Sequence, residues 1–116
     1  MLLDSVLAAL PDDWRVHAAR GLALAGLGRR QEALREARWL QQSVVYREDA
    51  ISSRFVAEER ARILAQAGEL DAAVDEIEQL LAGPGFLSVH TLRLDPRWDP
   101  IREHPRFQAL LAKYEN

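Results

Sequence analysis

The sequence predicts an all-α chain of stacked antiparallel helix hairpins, closed by a C-terminal capping helix. Three observations predict it. Apolar residues recur at three- and four-residue spacing through most of the chain, the period of a helix with one buried face. A glycine-centred turn occurs twice, as Leu27-Gly28-Arg29-Arg30-Gln31-Glu32-Ala33-Leu34 and as Ala67-Gly68-Glu69-Leu70-Asp71-Ala72-Ala73-Val74. No stretch reads as a strand of any length. Each glycine turn is a helix end, a residue free to take positive φ, and a new helix with a small residue facing back, so two helices meet closely across it.

The elements follow in order. Leu2, Leu3, Val6, Leu7 and Leu10 mark an amphipathic helix. Pro11 stops it, and an aspartate of the Asp12-Asp13 pair caps the next. The second helix runs from Trp14 to Leu27 and is closed by Gly28. The third runs from Gln31 to about Val44, with Leu34, Ala37 and Leu40 on one face; Trp39 lies off that face, suited to packing on the following loop or to a contact between chains. Residues 45–53 read as a longer loop, with Ser52 or Ser53 as the N-cap. About Arg54 to Ala67 is the fourth helix, laced by exposed Arg54–Glu58 and Glu58–Arg62 pairs. Leu70 to about Ala82 is the fifth. Gly83-Pro84-Gly85 breaks the chain. Ser88 to about Leu94 suits a two-turn helix, and Asp95-Pro96-Arg97-Trp98-Asp99-Pro100 is expected to forbid regular structure, because a residue before proline avoids the α region. His104-Pro105 starts the last helix, Pro105 to Lys113, which buries Phe107, Leu110 and Leu111.

Composition excludes several functions. At 116 residues the chain is a single domain. It contains no cysteine, which removes disulfides, thiolate catalysis and Cys-based zinc sites. A formal charge of −3 argues against nucleic acid as a partner. No apolar run approaches the roughly 20 residues of a membrane span, and the opening residues lack the basic and apolar regions of a signal peptide. A cytoplasmic location is the default expectation. Of 15 basic residues 14 are arginine, a choice that suggests a GC-rich bacterial genome.

No catalytic, cofactor or metal constellation is expected. His17, His90 and His104 sit in three separate elements without zinc-helix spacing and read as polar or capping residues. Glu58-Glu59 and Asp75-Glu76 are adjacent helical carboxylates and read as solvated surface. The basic strip Arg29, Arg30, Arg35 and Arg38, interrupted by Glu32 and Glu36, reads as a solvated helix face.

Gly28 and Gly68 are 40 residues apart, and residues 17–41 and 57–81 match at Arg20/Arg60, Leu24/Leu64, Ala25/Ala65, Gly28/Gly68, Ala33/Ala73, Glu36/Glu76 and Leu40/Leu80. A repeat of this size made of two helices means stacked hairpins. The pattern resembles the tetratricopeptide repeat. Gly21 or Ala61 sits seven residues before the glycine, where paired helices cross; Ala33 or Ala73 sits five after; Pro11 falls in the family's proline slot of a preceding repeat. Arg20 and Arg60 stand where the family has leucine. The expected divisions are a partial repeat over 1–12, repeats over 13–46 and 53–86, and a truncated repeat with cap over 87–116. The tail from Leu92 to Leu111 looks like the ending of bacterial kinases, cyclases and winged-helix regulators that close on such repeats. The resemblance implies a non-catalytic protein–protein interaction module within a bacterial signalling or regulatory protein.

In the family the first helix of each repeat lines a concave groove. The resemblance places Arg15, Ala18, Leu22 and Ala25 on it from one helix and Phe55, Glu58, Arg62 and Ala65 from the other. The Lys and Asn that clamp peptide carboxyl termini are missing from this stripe, so the expected partner is an apolar or helical protein segment. The chain's own tail or a second copy is the competing occupant of the patch. The alternative function is homo-oligomerisation, two copies pairing through an open N-terminal edge at Leu3, Val6 and Leu7.

Overall fold

A computed structural model describes residues 2–43, 46, 52–83 and 87–114. Every regular element among them is a helix: α1 (Leu2–Ala9), α2 (Trp14–Gly26), α3 (Arg30–Gln42), α4 (Ser52–Gln66), α5 (Leu70–Ala82), α6 (Val89–Leu94), a 3₁₀ helix (Pro96–Ile101) and α7 (Pro105–Tyr114). None is long and apolar enough to cross a membrane. Most of the 45–53 segment, and Pro84 and Gly85 of the expected break, lie outside the described residues. α4 already includes Ser52 and Ser53, so neither is its N-cap.

The two glycine turns close in the same way. Gly28 has φ +77° and Gly68 φ +88°. In the first, the Gly28 N–H donates to the Ala25 carbonyl at 3.1 Å and the Arg29 N–H to the Leu24 carbonyl at 2.9 Å. In the second, Gly68 donates to Ala65 at 3.2 Å and Glu69 to Leu64 at 2.9 Å. These bonds satisfy carbonyls left over at a helix end, and the left-handed residue they need is most cheaply a glycine. At the start of α2, the Asp13 carboxylate accepts from the Arg15 N–H at 2.9 Å, as an N-cap does.

α2 packs on α3 and α4 packs on α5 as helical hairpins, and α4 lies against both α2 and α3. Leu24, Ala33 and Leu40 of the first hairpin share one apolar cluster with Val56, Ile63, Val74 and Ile77 of the second. Close approach depends on Gly21, where an added Cβ would stand 2.6 Å from Ile63 Cδ1 and 3.1 Å from Glu36 Cβ. α1 rests on α2 without a single fully buried residue.

Each hairpin is also crossed by an ion pair. Arg20 Nη1 donates to Glu36 Oε1 at 2.8 Å, and Arg60 Nη1 donates to Glu76 Oε2 at 2.6 Å. Glu36 and Glu76 are both buried, which corrects the expectation of solvated carboxylates: each is the counterion of an arginine on the facing helix. Each carboxylate has a further partner, and here the hairpins differ. Glu36 Oε2 lies 2.5 Å from His17 Nδ1, whereas Glu76 Oε1 accepts from the Tyr46 hydroxyl at 2.9 Å. Burial and the Glu76 charge push the Tyr46 phenol up to about 12. His17 is stacked on Trp39 at 3.6 Å and 14°. Trp39 therefore packs on α2 within its own hairpin, while most of the 45–53 loop lies outside the described residues. Arg29, Arg30, Arg35 and Arg38 are exposed, as expected.

The tail corrects a second expectation. Asp95 to Pro100 does not lack regular structure but enters a 3₁₀ helix. Asp95 stays extended before Pro96, whose missing N–H costs nothing in a first turn. Trp98 donates to the Asp95 carbonyl at 3.0 Å and Arg102 to Asp99 at 3.3 Å. α7 follows, and His104 caps it by accepting from the Arg106 N–H at 3.2 Å. Phe107, Leu110 and Leu111 are buried as predicted, and Trp98, Leu92 and Ile101 join them.

The Gly21 contact yields a prediction. Gly21→Ala gains helix propensity of up to about 1 kcal/mol, but overpacking against Glu36 and Ile63 outweighs it, for a net loss of about 1 kcal/mol or more. Ile63→Val removes the nearest atom, so the double substitution should be more stable than the sum of the two single losses, read by a urea-unfolding double-mutant cycle.

Candidate functional site

α2 and α4 lie side by side, and the eight residues expected to line a groove are divided between an open part and a covered part. On α2, Arg15 is exposed, Ala18 is buried, and Leu22 and Ala25 are half-buried. On α4, Phe55 is 41% exposed and Glu58 half-buried, but Arg62 and Ala65 are buried, at 6% and 0%. The cover is the 3₁₀ helix, which packs directly on α4.

Arg62 is the centre of this contact. Its Nη2 donates to Glu58 at 2.5 Å and its Nη1 to Glu59 at 2.7 Å. The guanidinium carbon lies 5.6 Å from the centre of the Trp98 ring, a cation–π distance, and Nη2 lies 3.9 Å from Asp95. The Glu58–Arg62 pair expected on the surface is thus beneath the tail. Burial makes the charge dependent on its carboxylates, because an uncompensated buried cation is costly. Arg62 is thus buried and held by the chain's own carboxylates rather than standing open on the groove surface.

A second bond follows from proline chemistry. In a 3₁₀ helix the residue at position 100 would donate to the Arg97 carbonyl. Pro100 has no N–H, and Gln66 Nε2 of α4 takes that carbonyl at 2.8 Å. Asp95 fixes the entry to the turn. Its carboxylate accepts from the Arg97 N–H at 2.9 Å and from the Arg97 guanidinium at 2.8–3.1 Å. The Arg97 side chain, aided by its backbone N–H and by the Arg62 charge, holds the Asp95 carboxyl down to about 2. Behind the turn, Arg102 closes the end of α6, donating to the Leu92 carbonyl at 2.8 Å and the Asp95 carbonyl at 2.6 Å.

Sequence reasoning assigned 87–116 to a truncated repeat and cap but did not find Gln66 or the load on Arg62. One signal was available for Gln66: a proline at position 100 frees a carbonyl that some donor must satisfy. The expected oligomer edge is also altered. Leu3, Val6 and Leu7 are half-buried, while the exposed apolar residues of this region are Leu2 at 81% and Leu10 at 49%. Among the described residues there is no group of three side chains suited to hold a metal ion. No family model matches the chain, and no curated protein and no solved structure shows significant similarity to it.

Asp95 gives a pH dependence whose sign is fixed. Its folded value, about 2, lies below that of an ordinary aspartate, so its contribution is fully present above about pH 4 and is lost as pH falls toward 2. Asp95→Asn keeps a capping oxygen and removes the charge. It should lower stability by about 1 kcal/mol at pH 7, and the gap to the parent chain should narrow between pH 4 and pH 2 in denaturant titrations.

Proposed function

We propose that the chain is a non-catalytic protein–protein interaction scaffold of tetratricopeptide type, working in a bacterial signalling or regulatory protein and taking an apolar or helical polypeptide segment on the face shared by α2 and α4. One observation carries the reading: this face already holds a short peptide segment, the chain's own Asp95–Ile101, by a buried tryptophan, a cation–π contact and a side-chain bond to a main-chain carbonyl. Those are the means by which a helical surface holds a polypeptide in trans. The tail covers the Arg62–Ala65 part of α4 and leaves Leu22 and Ala25 of α2 half-buried, with Arg15 of α2 and Phe55 of α4 exposed. That remaining strip is mainly apolar with one cation at its end, which suits an amphipathic helix.

A second reading rests on α1. Leu2 and Leu10 are exposed beside a helix with no buried residue, so two copies pairing through this edge would gain apolar burial.

Two measurements separate the readings. Fluorescence anisotropy with a labelled amphipathic helical peptide should give micromolar affinity, weakened at least tenfold by Leu22→Arg, while an extended peptide with an acidic carboxyl terminus should not bind. Binding of the acidic peptide alone, lost with Arg15→Ala, would sink the proposal. Light scattering across a dilution series should give a constant monomer mass. A dimer that dissociates on dilution and is abolished by Leu2→Glu with Leu10→Glu would favour the second reading.

A further inference from the structure

The two hairpins share a glycine turn at one end and an ion pair across the middle, but they differ at the end where the helices open. At that end the first hairpin is filled by rings. His17 from α2 is stacked on Trp39 from α3 and bonded to Glu36, and Trp14 at the start of α2 is packed on the core. Forty residues later the corresponding positions are Arg54, Ala57 and Gln79. Two indoles and an imidazole are replaced by a guanidinium, a methyl group and an amide.

Among the described residues, the space is not closed. A cavity of about 230 Å³ lies there, lined by Tyr46, Ser53, Arg54, Ala57, Glu76, Gln79 and Leu80. Tyr46 replaces only the hydrogen-bonding part of His17, by donating its hydroxyl to Glu76. Ala57 and Leu80 form buried apolar wall, at 6% and 7% exposure, and Gln79 is exposed at the rim. The Arg54 guanidinium, which passes over Gly83, lines the mouth.

We propose that this cavity is a binding site for an aromatic side chain of a partner polypeptide, an indole in particular. The occupant is argued from the chain itself: the equivalent space of the first hairpin holds an indole, Trp39. The lining matches that class. Tyr46 offers a ring edge or face, Arg54 a cation for an electron-rich ring, and Gln79 and Ser53 oxygen acceptors for an indole N–H. Glu76 is committed to Arg60 and Tyr46 and would not be called on to bond the ligand. The volume suits one side chain rather than a drug-sized molecule. The site deepens the scaffold reading, yet it lies at the open end of α4 and α5 and makes no use of Leu22 or the tail.

The test uses N-acetyl-tryptophanamide as the probe, titrated into the full chain and followed by NMR at the Gln79 side-chain amide and the Tyr46 ring. Saturable shifts at both are expected, with a dissociation constant of about 0.1–1 mM, and N-acetyl-leucinamide should bind at least tenfold more weakly. Gln79→Trp restores the first hairpin's filling from an exposed helical position and should weaken the probe at least tenfold. Ala57→Leu, which fills the cavity from its wall, should do the same. Leu22→Arg should leave probe binding unchanged, so failure of the α2 face and failure of this site are read separately. Shifts that persist in both filled variants, that map to other residues, or that leucinamide matches would overturn the proposal.

Discussion

Each hairpin depends on an arginine and a glutamate that meet across it, 16 residues apart in both copies. Arg20 on Glu36 and Arg60 on Glu76 stand where an apolar pair could pack. That choice changes what the hairpin tolerates. Apolar pairs can slide or repack at modest cost, whereas a buried ion pair has one good geometry, and losing either partner leaves a charge without compensation. The pair therefore fixes the rotation of one helix against the other. That rotation brings Gly21 up to Glu36 Cβ and Ile63 Cδ1, and it carries Ala61 to full burial. The close approach of α2, α3 and α4 follows from where the ion pair holds them.

The second partner of each carboxylate then sets the difference between hairpins. Glu36 draws in His17, which is on its own hairpin and stacks on Trp39. Glu76 finds alanine where His17 would be, and is reached instead by Tyr46 from the stretch between the hairpins. The stretch between the hairpins thus enters the chemistry through one residue: Tyr46 delivers a hydroxyl to the second carboxylate. A phenol arriving from outside the hairpin satisfies the carboxylate without occupying the space that two stacked rings fill in the first copy.

Much of this fold was legible in the sequence, and the parts that were not share a cause. Gly28 and Gly68 were readable because a helix end that returns sharply needs positive φ, a local property of the residue. The caps at Asp13 and the proline start of α7 were readable for the same reason. Arg20, Arg60, Glu36 and Glu76 were all visible as repeat matches, but their partnership was not, because contact over 16 residues depends on the helix rotation that the contact itself sets. Arg62 shows the same limit. Its spacing from Glu58 announced a pair, but its burial comes from Trp98, 36 residues later in the chain, and nothing in the α4 pattern encodes that. The eight candidate groove residues lie on the helices assigned to them; five of them, Arg15, Leu22, Ala25, Phe55 and Glu58, keep access to solvent.

The 3₁₀ turn shows how a residue that removes a bond can specify a contact. Pro96 and Pro100 each delete a backbone donor, and the sequence alone suggested that this would leave the segment irregular. The deletion at Pro96 falls on a first turn, where no internal acceptor waits. The deletion at Pro100 leaves the Arg97 carbonyl unpaired within the turn, and that oxygen becomes the acceptor for Gln66. Asp95 and Arg97 lock the turn's entry, Arg102 locks the helix before it, and Trp98 is buried against Arg62 of α4. Gln66 bonds the segment to α4 at the Arg97 carbonyl, and Trp98 and Ile101 are fully buried, so a directed bond and apolar burial together hold these six residues on the helical face.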